Sequence, residues 1–223
     1  MAMERTPKST VRANSATKQD GIKEPRWLAI VAMLAVGLLY AALPSSLSLG
    51  PDWLLLAVMI AVMVPTLISH RTGHHKLDRV LGFVGSGVLT AAMIWSLILL
   101  VDAIPKHQID PKILLRSAAA LWVTNILVFA LWYWRLDAGG PHAREKASRH
   151  TEGAFLFPQM NFASSNWSPN FVDYLFLAFN TSTALSPADT PALSRWAKIL
   201  MMIQASISLA VLALLAARAV NIL

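Results

Sequence analysis

Six stretches of this chain are so apolar that together they dictate its class. They fall at residues 27–43, 53–69, 80–104, 112–134, 171–185 and 192–217. Each is about 16 to 25 residues long, the length that carries a helix across a roughly 30 Å hydrocarbon core at 1.5 Å per residue. Composition points the same way: only 14% of residues are charged and 56% are hydrophobic, where a soluble domain carries about 25% charge. The expected fold is all-α, a polytopic helical membrane protein with about six transmembrane helices and no sheet. The spans use most of the 223 residues, which leaves no room for a second globular domain.

The order of segments divides the chain into four parts. Residues 1–25 are polar, rich in Ser, Thr, Lys and Asn, and lack periodicity, which predicts a disordered basic tail. Residues 26–134 form a four-span bundle, whose first span lacks a small-residue cleavage site and is expected to stay. Pro65 should kink the second span. Gly82, Ser86 and Thr90 recur at four-residue spacing in the third, a small-residue face that admits another helix. Residues 135–169 are a cytoplasmic loop, basic at first, then apolar at Phe155-Leu156-Phe157-Pro158, a stretch too short to span and expected to pack on the bundle or the interface. Residues 170–223 form a C-terminal helical hairpin. Ser168-Pro169 and Thr190-Pro191 have the look of N-caps followed by proline at the first helical position.

The formal charge of +7 does not point to nucleic acid, because the basic residues lie in the tail and short loops. That is the positive-inside pattern, and a basic tail is drawn to anionic lipid. If all six segments cross and the N-terminus is inside, fourteen of the nineteen Lys and Arg residues are cytoplasmic. A bacterial inner-membrane protein with both termini cytoplasmic is therefore expected. The chain has no cysteine, which removes disulfides, thiolate metal sites and thiol catalysis.

Polar groups at membrane depth concentrate in the hairpin. Asn180-Thr181-Ser182-Thr183 closes the fifth segment, and Ser186-Pro187-Ala188-Asp189-Thr190-Pro191 makes the turn. Phe171 and Asp173, the Thr181-Ser182-Thr183 end of an apolar helix, and the ungapped Ala184–Asp189 stretch resemble the pore region of two-span potassium channels, over about a quarter of the chain. The resemblance implies a re-entrant pore helix, a selectivity segment, a small ion as substrate and a symmetric homo-oligomer, a tetramer by analogy. The chain departs from that pattern where the channels have filter glycines: Ser186 and Ala188 stand there, with Pro187 between them. The charge count also puts the preceding loop inside. Ser186-Pro187-Ala188-Asp189 can equally be a capping box on an ordinary turn. The whole chain is similar to a family of uncharacterised bacterial inner-membrane proteins that end in Asp-Tyr-Leu-x-x-Ala-Phe and Ser-x-x-Asp-Thr, with no activity to transfer.

Two functional classes stay open. One is a channel-like or transport protein for a small ion or solute, its path lined by Asn180, Thr181, Thr183, Ser186, Asp189, Asn125 and Gln204. The other is a non-conducting scaffold or accessory protein whose polar residues pack helices together. Asp102 has an ion-pair reading with Lys106 or Arg116, against a proton-relay one. His70, His74 and His75 lie in a cationic loop interrupted by Gly73, a poor metal site. No hydrolase motif, phosphate loop or mid-membrane histidine pair is present, so neither an enzyme nor a cofactor is expected.

Overall fold

The structure, a computed structural model, describes residues 24–48, 50–51, 53–71, 75–106, 109–146, 153–161, 167–183 and 189–222. Among the described residues the chain is all-helical apart from one isolated β-bridge. Its helices are α1 (Trp27–Ala41), α2 (Leu54–Arg71), α3 (His75–Lys106), α4 (Pro111–Leu136), the short α5 (Pro141–Lys146), α6 (Phe171–Thr183) and α7 (Arg195–Ile222). Three stretches are long and apolar enough to cross a membrane: Leu77–Ala103, Pro111–Gly139 and Arg195–Ala217. The apolar helices Trp27–Ala41 and Leu54–Pro65 are shorter.

The centre of the bundle is α4. Its residues are apolar on every side, as a helix surrounded by others must be, and Leu121, Val128, Leu131 and Tyr133 are all buried. Asp110 caps its start by accepting from the Lys112 amide at 2.7 Å, with Pro111 at the first helical position. The small-residue face of α3 receives α4. Trp132 donates to Thr90 at 2.8 Å, and a Cβ on Gly82 would lie 1.8 Å from Arg135 Nη1. The end of α4 is forced by three successive left-handed residues, Ala138, Gly139 and Gly140. Gly140, at φ 93°, has no room for a side chain, since a Cβ there would meet the Arg135 carbonyl at 2.9 Å. The chain folds back under the helix and starts α5.

Helix directions follow from the pairs each helix makes with α4. Phe171 stacks on Trp134 at 6.0 Å, and Phe179, two turns later, reaches Trp122 at 6.3 Å. So α6 runs antiparallel to α4. The Tyr133 hydroxyl meets Gln204 at 2.5 Å, and Asn125, two turns earlier, meets Ser208 at 2.7 Å. So α7 also runs antiparallel to α4, and α6 and α7 are parallel to each other. Both begin at the end of the bundle where α1 and α3 begin, marked by the Arg26–Asp78 pair at 3.1 Å. We call this end the tail side.

Within the expected C-terminal hairpin of residues 170–223, the two helices point the same way. Ala192 is back at the tail side, bridged to Phe155. With 13 residues, α6 is about 20 Å long, short of a 30 Å core. Of the six expected spans, three are long and apolar enough to cross a membrane. Ser168 and Thr190 are not the caps. Asn170 caps α6, accepting from Val172 at 2.8 Å while Asp173 accepts from the Asn170 amide at 2.8 Å, a reciprocal capping box. Ser194 takes the cap position of α7. Residues 190–193 cannot start that helix because their backbone pairs with the loop: Leu156 donates to Pro191 at 3.0 Å and Leu193 to Ala154 at 2.7 Å.

The apolar stretch in the long loop does pack on the bundle. Phe155 is fully buried and touches Tyr133, Tyr174 and Trp196 edge-on, with centroids 5.2 to 6.4 Å apart. Phe157, also buried, meets Tyr174 edge-on and Trp167 at a tilt. These aromatic contacts fill the wedge where α4, α6 and α7 diverge at the tail side.

Candidate functional site

Polar side chains gather at two levels around α4. The deeper level joins α4, α6 and α7. Gln204 is its hub: it donates to the Ala178 carbonyl at 2.7 Å and to Ser182 at 2.8 Å, and accepts from the Tyr133 hydroxyl at 2.5 Å. Asn125 donates to Ser208 and to the Gln204 carbonyl, at 2.7 and 3.3 Å. Gln204, Asn125, Ser182 and Ser208 are all at 0% exposure. Each of the four makes at least one hydrogen bond within this group; the Asn125 amide oxygen alone among their buried polar atoms has no partner.

The residues expected to line one path divide between two faces. Asn125 and Gln204 come together in this network. Thr181 is buried beside it, but its hydroxyl bonds back to the Leu177 carbonyl at 2.8 Å. Thr183 is exposed and bonds back to Phe179 at 3.0 Å. Asn180 is half-buried and Asp189 exposed; Ser186 lies outside the described residues. The periodicity explains the division: Tyr174, Ala178 and Ser182 turn α6 toward α4 and α7, while Val172, Phe176 and Thr183 form the opposite, exposed stripe, with Phe179 at its edge against Trp122. The six of these residues that the structure describes therefore do not share one face.

The second level lies at the tail side and was not visible in the sequence. Arg144 of α5 is 4% exposed. Its guanidinium donates to Glu24 at 2.9 and 3.2 Å and to the carbonyls of Trp134 and Asp137, each at 2.9 Å. It also lies 5.1 Å over the Tyr174 ring. The Trp134 indole N–H donates to Glu24. Asp137, fully buried, accepts from the Tyr174 hydroxyl at 2.6 Å and from the Ala154 amide. Next to this cluster, Arg26 bridges Asp78 and Glu145 at 3.1 and 3.2 Å, and Arg79 donates to the Gly139 carbonyl. Burial pushes the Glu24 carboxyl up, against the charge and hydrogen bonds of Arg144 and Trp134 that pull it down. Glu24 falls within the stretch expected to be a disordered tail. In the structure it is an integral part of the bundle, because a buried guanidinium needs a carboxylate.

The fold thus defines a class: an all-helical protein with three helices long and apolar enough to cross a membrane, and a short helix laid parallel to the last of them. No known protein family, curated protein or solved structure matches the chain.

Proposed function

We propose that the chain is an integral protein of a bacterial inner membrane, built like a pore-loop protein, which passes a small ion or solute at an axis shared by several copies. One observation carries this reading: α6 and α7 are parallel, which supports a short α6 that dips into the membrane from the tail side ahead of a crossing α7. The parallel order of a short helix and the crossing helix after it is that of the potassium-channel pore region that this segment resembles, entered here from the opposite, cytoplasmic side. Lipid cannot satisfy irregular backbone at membrane depth, so a return of this kind belongs against protein or water. One dipping segment cannot enclose a path, hence the oligomer.

On this reading α1 to α4 and α7 cross, and α6 does not. Arg195 and Lys198 then join the tail side and Arg218 leaves it. Fifteen of the nineteen Lys and Arg residues fall on the tail side, against fourteen if α6 crossed. The positive-inside bias thus grows slightly, with the N-terminus cytoplasmic and the C-terminus outside.

A second reading, a non-conducting scaffold, draws on the deeper polar level: Asn125, Ser182, Gln204 and Ser208 are engaged with one another and not with a path. One experiment separates the two. The chain has no cysteine, so Ser186→Cys carries the only thiol. Reconstituted in liposomes under a potassium or sodium gradient, this variant should conduct, and an impermeant thiol reagent should block the flux. A labelled cysteine with no flux above empty liposomes would overturn conduction and leave the scaffold.

A further inference from the structure

The tail-side cluster links two parts of the chain that do not otherwise need each other. Glu24 precedes the first helix, and Tyr174 sits in the first turn of α6. Between them runs an unbroken buried chain of polar contacts. Glu24 holds Arg144 through both carboxylate oxygens. Arg144 holds the Asp137 carbonyl and covers the Tyr174 ring. The Asp137 carboxylate holds the Tyr174 hydroxyl with one oxygen and the Ala154 amide with the other. Ala154 in turn positions Phe155, which packs on Tyr174 and on Trp196 of α7. From this chain we infer that residues 24–26 act as a strap on α6, so that the state of the segment before α1 is transmitted to the seat of the dipping helix.

Three features favour a strap over ordinary packing. First, α6 is short, and its tail-side end is held by Phe171 on Trp134 and by Tyr174, which meets the cluster as well as Phe155 and Phe157. Second, the links from Glu24 through Arg144 and Asp137 to the Tyr174 hydroxyl include charge-assisted and buried hydrogen bonds, whose loss leaves a buried polar group unsatisfied at high cost. Third, Arg26 makes a parallel attachment to Asp78 and Glu145. The strap is therefore fastened at α3 and α5 as well. The inference goes beyond conduction and stands on these contacts whether or not α6 lines a path.

Coupling between two sites is reciprocal, which gives the test. Amide exchange of the full chain in lipid nanodiscs would be followed by mass spectrometry for wild type, Glu24→Gln, Tyr174→Phe and Asp78→Asn. Glu24→Gln should speed exchange in residues 172–178 by about tenfold, the scale of a lost local closure of a little over 1 kcal/mol, and leave α2 unchanged. Tyr174→Phe keeps the ring under Arg144 and removes one hydroxyl; it should loosen residues 27–31 as well as α6. Asp78→Asn breaks the parallel fastening without touching the Glu24–Tyr174 chain and should leave 172–178 at the wild-type rate. If Tyr174→Phe loosens α6 alone, or if Asp78→Asn loosens α6 as much as Glu24→Gln does, the strap is overturned. The Tyr174→Phe arm decides the question even if Glu24→Gln fails to fold.

Discussion

A single side chain, Gln204, joins three helices. It engages α6 twice as a donor and α4 once as an acceptor, and its own carbonyl takes a bond from Asn125. Interhelical hydrogen bonds in bilayers contribute about 0.6 kcal/mol each on average. Gln204→Ala removes three and leaves Tyr133 and Ser182 without their partner, so it should lower stability by about 2 kcal/mol, read as a lower melting temperature in detergent. Thr183→Ala, on the exposed stripe of α6, should change stability by less than about 0.5 kcal/mol. The sequence places both residues among polar groups at membrane depth and offers no means of telling them apart. What separates them is which side of α6 faces α4, and that depends on Tyr174 and Ala178, not on the polar residues themselves.

At the scale of elements, helix ends decide more than helix middles. The turn after α4 depends on Gly140, where a side chain meets both an unfavourable φ and a backbone carbonyl. Gly140→Ala should destabilise by about 1–3 kcal/mol. Gly87, in the middle of α3, has nothing within 4 Å of its missing Cβ, and Gly87→Ala should stabilise by up to about 1 kcal/mol through helix propensity. Chemical or thermal unfolding of the two variants in one detergent checks the opposite signs. Apolar runs in the sequence locate every long helix, because length and hydropathy are local properties. They miss the caps of α6 and α7. Ser168-Pro169 and Thr190-Pro191 have the right local chemistry, but Asn170 and Asp173 form the capping box of α6, and the backbone of residues 190–193 is taken by residues 154–156. Such competition between distant segments leaves no trace in a window of ten residues. The cluster of Glu24, Asp137, Arg144 and Tyr174 is hidden for the same reason: Glu24 and Arg144 are 120 residues apart.

At the scale of the whole molecule, direction matters most: α6 runs parallel to α7, and on the proposed function it enters and leaves on the tail side. The sequence carries a hint of it in the pore-like segment, but a count of apolar runs treats a dipping helix as a crossing one, because both are equally apolar. Aromatic and hydrogen-bonded pairs with α4 decide the direction, and they are long-range. The claim fixes the sidedness of every later residue. Single cysteines at Asp189, exposed just before α7, and at Ala217, exposed near its far end, would be placed in the otherwise cysteine-free chain beside one in the N-terminal tail. Each would then be reacted with an impermeant thiol reagent in sealed vesicles of known orientation. Asp189→Cys should label from the same side as the tail and Ala217→Cys from the opposite side. Labelling of Asp189→Cys from the side opposite the tail, with Ala217→Cys on the tail side, would mean that α6 crosses, and would contradict the parallel arrangement on which the proposed function rests.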